Sequence, residues 1–251
     1  MTGSTEKAVE QHFDDYAARH KWQDLYEKAL NKDNVAFAVR LDAFVEMIRD
    51  CHPASVLDLG CGSGDYLGAL PSDRIRYHGV DISAEMIRSV QAKIGQLPAG
   101  RRALATCEVA TLSELPTKTR YDFVMASGLI EYFEDVGPPV RKMAELATSG
   151  GYVATQVPNR LFYKFKGIRH WQSEGKPFRH HRMTREECDA VHLEAGLQKV
   201  RGFYIDHMYL PKSRKWFPKL HYRLCTRFDA STPEFFSRKF ATGYLGLYRK
   251  P

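Results

Sequence analysis

Along this chain of 251 residues the apolar positions keep first one period, then another. From Glu6 to Asp50 they recur near every 3.6 residues: Phe13, Tyr16, Trp22, Leu25 and Tyr26, then Phe37, Leu41, Phe44, Val45 and Ile48. That spacing predicts two amphipathic helices, with a break from Asn31 to Asn34. From Ala54 the rhythm changes to short apolar runs, SVLDLG, RYHGVDIS, RALATCEVA, YDFVMASG and GYVATQVP, which read as strands. Helical segments lie between them. SAEMIRSVQAKIGQL has Ser83 as its cap and Glu85 in the first turn, where an acid suits the helix dipole. DVGPPVRKMAELA is expected to close at Gly150-Gly151. TREECDAVHLEAGL opens on Thr184 with Glu187 three residues on, a capping box. QKVRGFYIDH and ATGYLGLYRK supply two more strands.

Strands alternating with helices imply a parallel sheet with right-handed crossovers. The expected fold is α/β, a doubly wound, seven-stranded, mostly parallel sheet. A helical cap is expected over residues 1–53 and the main domain over 54–251. Two insertions, at 160–182 and 209–240, are expected to be irregular lids.

VLDLGCGSGDYL, Val56 to Leu67, stands where the first strand hands over to a helix. In such sheets ligands bind beyond the carboxyl ends of the strands. Glycine there permits unusual dihedrals and lets a ligand reach the backbone. The spacing is Asp58-x-Gly60-x-Gly62-x-Gly64, with Asp65 where a dinucleotide fingerprint would have its third glycine. No P-loop lysine follows. Asp81 ends the second strand, where a carboxylate can accept hydrogen bonds from both ribose hydroxyls.

DLGCGSG, then GVDIS, then YDFVMASGLIEYFED, in this order, resembles the class I S-adenosylmethionine-dependent methyltransferases. The resemblance covers Ser55 to Asn159 well and the last helix and strands more weakly. It implies a Rossmann-like methyltransferase fold, S-adenosylmethionine as cofactor and methyl transfer as the reaction. Carried over by position, it implies that Gly60, Gly62 and Gly64 meet the methionine and ribose parts. Asp58 would help hold the amino group, directly or through water, Asp81 would take the ribose hydroxyls, and Ile82 would pack on the adenine. After the third strand the family often has an acid for the adenine amino group. This chain departs from that pattern, with Thr111 followed by Leu112. Ser127 and Gly128 would line the donor pocket. The N-terminal helices resemble the cap that many of these enzymes fold over the cofactor, with Tyr16, Trp22 and Tyr26 as its aromatic wall and Arg40 against the methionine carboxylate.

The motifs leave the acceptor open. Methyl transfer is an in-line displacement in which a general base is optional. Tyr132, His180, His181 and His207 are candidate bases, and His181 and Tyr132 are the catalytic candidates carried forward. The paired histidines have no third ligand at helical spacing, so no metal is expected.

The chain carries 37 Lys and Arg against 30 Asp and Glu, a net charge of +7, with much of the excess between Arg160 and Arg223. Both insertions interleave cations with Phe, Tyr and Trp. Such a surface can roof a pocket, sit on an anionic membrane or meet nucleic acid. The reading favours a small-molecule or lipid-like acceptor, methylated at oxygen, with peripheral membrane contact as a further partner and nucleic acid not expected. An RNA methyltransferase and a non-catalytic cofactor-binding or membrane-surface module are the alternatives. No run of residues reads as a signal peptide or a membrane span, and the five scattered cysteines form no framework, so a cytoplasmic protein is expected.

Overall fold

A computed structural model describes residues 3–19 (side chains of 7–15 only), 29–167, 180–210 and 212–251. The side chains of Tyr16, Trp22 and Tyr26, and residues 168–179 of the first insertion, lie outside the described residues.

The sheet has seven strands in the order β3-β2-β1-β4-β5-β7-β6. They are β1 (Ser55–Leu59), β2 (Arg76–Asp81), β3 (Ala105–Val109), β4 (Tyr121–Ser127), β5 (Ala147–Pro158), β6 (Gln198–His207) and β7 (Ala241–Arg249). The β1–β5 pairings are parallel, Val56 lying opposite Tyr77 and Phe123. β7 is antiparallel to both β5 and β6. The expected doubly wound, mostly parallel sheet is therefore present. β1 is buried along its whole length, as a strand with layers on both faces must be.

Between the strands come α1 (Gly3–Arg19), α2 (Val35–Cys51), α3 (Asp65–Ala69), α4 (Ala84–Gln96), α5 (Ala99–Arg102), α6 (Gly137–Leu146), α7 (Arg160–Phe165) and α8 (Arg185–Glu194). α9 (Ser213–Trp216), α10 (Pro218–Phe228) and α11 (Glu234–Phe240) separate β6 from β7. One face of the sheet packs Leu57, Val124 and Tyr248 against Met143 and Leu146 of α6 and Cys188 of α8. The other packs Val56, Phe123 and Leu245 against α2, α3 and α4 through Phe44, Met47, Tyr66 and Val90. α2, expected as part of a cap, thus shares the core of the domain it would cover.

The expected caps on α4 and α8 form. Ser83 accepts from the Met86 N–H at 3.2 Å. Thr184 and Glu187 exchange bonds of 3.2 and 2.9 Å. Two expectations differ. α6 ends at Leu146, ahead of the glycines, because Ala147 already pairs with Tyr121. The second insertion is also helical, and its α10 packs on α2. α10 buries His221 and Cys225, a polar face that apolar periodicity does not register. Among the described residues no helix is long and apolar enough to cross a membrane.

Candidate active site

A cavity of about 1190 Å³ opens at the carboxyl ends of β1, β2, β4 and β5. Its first wall is the glycine bend. Gly60, Gly62 and Gly64 have φ of 67°, 52° and 76°, the left-handed region that other residues enter only with strain. The bend is held by two strand-end contacts. The N–H groups of Gly60 and Cys61 both donate to the Val80 carbonyl, at 2.8 and 3.0 Å. Asp81 does the rest: Oδ2 accepts from the Gly62 N–H at 2.8 Å and Oδ1 from the Ser83 N–H at 2.9 Å. Burial pushes its carboxyl up, and these two N–H groups pull it back. Each oxygen keeps a lone pair, and the carboxylate lines the cavity.

Asp58 does not line the cavity. It sits behind the bend, 1% exposed, with Oδ2 accepting from the Tyr77 hydroxyl at 2.8 Å. Its Oδ1 is buried with no hydrogen-bond partner among the described residues. Burial pushes this carboxyl up to about 7. The structure therefore sets Asp58 under the bend and off the cavity wall.

Ile82, Met86, Thr111 and Leu112 line the side of the cavity nearest β2 and β3. The Thr111 N–H and hydroxyl both donate to Glu114 Oε2, at 2.7 and 2.9 Å. Glu114 thus caps this turn from outside the cavity, and Thr111 and Leu112 remain the residues on its wall. At the end of β4 the Ser127 hydroxyl is 2.7 Å from the Tyr66 hydroxyl. Gly128 has φ 78°, and a Cβ there would come 2.7 Å from Arg40 Nη1. Arg40 donates to Gln156 Oε1 at 3.0 Å and lies over the Phe37 ring. Ser127, Gly128, Arg40 and Gln156 all reach the cavity.

Aromatic rings cover this space. The ring of Phe13 on α1 meets that of Tyr132 edge-on at 5.6 Å, and Tyr132 meets His180 at 4.8 Å. Val9 and His12 stand beside Phe13 on the cavity wall. α1 is tied down by Asp14, which accepts from the Ser83 hydroxyl. Aromatic positions on the first helix were expected here, but Phe13 was not singled out. Nothing in the sequence ranks it above Tyr16, three residues away on a neighbouring position of the same helix.

The catalytic candidates are rearranged. Tyr132 lines the cavity, but burial and the adjacent Glu131 push its phenol well above the ordinary value. That shift favours the protonated phenol, which can donate a hydrogen bond, over the phenolate a base would need. His181 is not on the wall. Its backbone N–H donates to the Glu131 carbonyl at 2.6 Å. His180 is the histidine on the wall. His207 is fully buried elsewhere, between Asp229 at 2.6 Å and Ser237 at 2.8 Å.

The far end, beyond β5 and β7, was not anticipated. Tyr163, Asp206, Arg214 and Thr242 line it. Asp206 is 2% exposed with φ 59°. Its carboxylate accepts from His221 Nε2 at 2.7 Å and from the Thr242 hydroxyl, and the His221 Nδ1 faces Ser213 at 3.0 Å. Ligand atoms of Asp206, His221 and Cys225 lie within 4.8 Å of one another. The separation between Asp206 and His221 is that of a hydrogen bond, and the carboxylate is already shared with Thr242 and Arg214.

Residues 12–201 match the family model described as "Methyltransferase domain". The chain belongs to the class I S-adenosylmethionine-dependent methyltransferase family. Among its relatives is a ubiquinone biosynthesis O-methyltransferase of Serratia proteamaculans, 27% identical over 146 residues, which are 57% of this chain. An uncharacterized methyltransferase of Mycobacterium tuberculosis is 31% identical over 122 residues, 48% of this chain and 57% of its own length. The match spans 58% of the length of the Serratia relative. Among solved structures, magnesium protoporphyrin IX methyltransferase from Synechocystis PCC 6803 with bound SAH superposes with a TM-score of 0.68 at 16% identity, covering 98% of this chain and 100% of that one. The N-methyltransferase NodS of Bradyrhizobium japonicum gives 0.64 at 12% identity, covering 97% and 99%. At these identities the two structures show the methyltransferase fold. The glycine bend and Asp81 lie inside the family match, whereas Arg214 and Thr242 lie beyond it.

Proposed function

We propose that this chain transfers a methyl group from S-adenosylmethionine to an oxygen of a small or lipid-like acceptor. The observation that carries the reading is one continuous cavity with two unlike ends. The end at β1 and β2 has bare backbone and a carboxylate with free lone pairs. The end at β5 and β7 has Tyr163, Arg214 and Thr242. Single ligand pockets run to about 1,000 Å³, so a cavity of about 1190 Å³ has room for donor and acceptor together.

The residues present fit the cofactor. Gly60 and Gly62 put bare backbone on the cavity wall, and the left-handed φ of each is one that glycine adopts without strain. Asp81 would hold the ribose hydroxyls, Ile82 and Leu112 the adenine faces, and Thr111 and Ser113 its polar edge. Arg40 and Gln156 are poised for the amino-acid end, with Ser127 beside them. When bound, the cofactor supplies a methyl group already activated on a sulfonium sulfur.

The rest of the work falls to this chain's own side chains. Phe13 and Tyr132 exclude water and present ring faces and edges to the reacting centre. The Tyr132 hydroxyl, held protonated, orients the acceptor by donating to it. The His180 imidazole takes the proton of the acceptor hydroxyl. The Serratia relative, named an O-methyltransferase, supports oxygen as the methylated atom.

Incubation with labelled S-adenosylmethionine and fractionated lipid and metabolite extracts tests the reading, with mass spectrometry identifying any species that gains one CH₂. His180→Ala should lower turnover by about 10²–10⁴, the usual contribution of a general base, and flatten the pH profile. His181→Ala should leave both unchanged. Labelling of an amine or carbon with no labelled oxygen would overturn the O-methylation.

A further inference from the structure

The second insertion turns an unusual surface outward. Among the described residues ten large hydrophobic side chains are exposed, and six of them fall in one stretch: Leu210, Trp216, Phe217, Leu220, Phe228 and Phe235. Trp216 is 61% exposed and Phe235 78%. Apolar groups so concentrated mark an interaction surface.

They form one face. α9 carries Trp216 and packs on α10. The inward side of α10 is taken by buried His221 and Cys225, so Leu220, Arg223 and Arg227 point out at helical spacing. From Phe228 a row of rings continues through Tyr209, Phe236 and Phe240 to Phe165 on α7.

The same face is cationic. Lys212, Lys215, Lys219, Arg223 and Arg227 are all exposed, and the Lys212 ammonium lies 5.2 Å from the Trp216 ring centroid. The carboxylates of the insertion are turned to other work. Asp229 is buried against His207 and Tyr209. Glu234 pairs with Arg185 and Arg238. Rings that project among cations match a headgroup layer, where the rings insert and the cations meet lipid phosphates. Arg214, between Lys212 and Lys215, lines the acceptor end of the cavity.

We infer that the face formed by α9, α10, Phe235 and Phe165 docks on an anionic lipid bilayer. Docking brings the acceptor end of the cavity to the membrane, so an acceptor dissolved in lipid reaches it without crossing water. The inference adds a partner surface to the proposed methyl transfer and does not depend on turnover.

Sedimentation of the full chain with vesicles tests it. Vesicles of phosphatidylcholine with about one third phosphatidylglycerol should bind it, and pure phosphatidylcholine should bind at least tenfold less. Raising salt to about 0.5 M, where the screening length falls to a few ångströms, should release it. Each surface cation contributes roughly a fivefold factor to such partitioning. Lys212→Glu, Lys215→Glu and Lys219→Glu together should therefore weaken binding by about a hundredfold or more. Trp216→Ala with Phe217→Ala should weaken it at least tenfold. Both variants alter exposed side chains and should keep the wild-type melting temperature and heat of S-adenosylhomocysteine binding. Absence of binding to the anionic vesicles, or variants that sediment like the wild type, would overturn the inference. Retention on tRNA with the vesicles ignored would also overturn it, reassigning the face to nucleic acid. Cofactor binding is read by calorimetry without vesicles, so failure of the proposed function and failure of this inference are seen separately.

Discussion

Asp81→Ala is the substitution whose outcome the structure constrains most tightly. The carboxylate holds the Gly62 and Ser83 N–H groups at 2.8 and 2.9 Å and faces the cavity with its remaining lone pairs. Hydrogen bonds to a charged acceptor contribute about 1.5–3 kcal/mol each. Two ribose hydroxyls would therefore lose about 3–6 kcal/mol, which is about 10²–10⁴ in Kd. The free protein loses less. Two N–H groups become unpaired at a cost of about 1–3 kcal/mol each, offset by removing a carboxylate that burial already disfavours. Calorimetric titration with S-adenosylhomocysteine should thus show at least a hundredfold weaker binding, while the melting temperature falls by only a few degrees. Asp81→Asn, which keeps one acceptor oxygen in nearly the same shape, should fall between the two. A folded Asp81→Ala protein that binds within about threefold of the wild type would refute the assignment of this carboxylate to the ribose.

Three further outcomes follow from burial and close contact. Asp58, pushed from 3.8 up to about 7 by burial, favours the folded state fully below its ordinary value; on the order of 4 kcal/mol is lost as pH rises through 7. Urea unfolding from pH 4.5 to 8 should show that fall, and Asp58→Asn should lack it. His192, buried and pushed from 6.5 down to about 4, acts in the opposite sense. Its contribution is complete above 6.5 and on the order of 3 kcal/mol is lost as pH falls through 4, so His192→Gln should unfold less readily in acid than the wild type relative to pH 7.5. Gly128→Ala combines φ 78° with a Cβ 2.7 Å from Arg40 Nη1, and should weaken S-adenosylhomocysteine binding about tenfold as Arg40 is displaced. Gly68→Ala, on an exposed helical position with nothing within 4 Å, should be neutral or stabilising; equal losses at both sites would remove the steric argument.

The strands were legible because each is a short apolar run between helical segments, and β6 falls on the ten residues QKVRGFYIDH. Asp81 was legible because a carboxylate at the end of a second parallel strand has few other uses. The acceptor end was not. Asp206, Thr242 and Arg214 are separated along the chain and meet only because β7 lies beside β6. The helix that supports them buries His221 and Cys225 in a hydrogen-bonded cluster, so its periodicity is polar and reads as a loop. His180 and His181 could not be told apart either. Which one reaches the cavity depends on how the chain returns to the site, where the His181 N–H bonds the carbonyl of Glu131, fifty residues earlier in the sequence.

The place of β7 has a temporal consequence. It is reached late in the chain, yet it is the neighbour of both β5 and β6. During synthesis β6 must wait without a strand partner until β7 slips into the gap, and long-range pairings of this kind are the slow steps of folding. The half of the cavity made by β1, β2 and β4 can be assembled from contiguous earlier sequence. The half that contains Thr242 and its bond to Asp206 cannot exist before that insertion. A nascent chain could thus grip a nucleoside well before it could receive anything to modify.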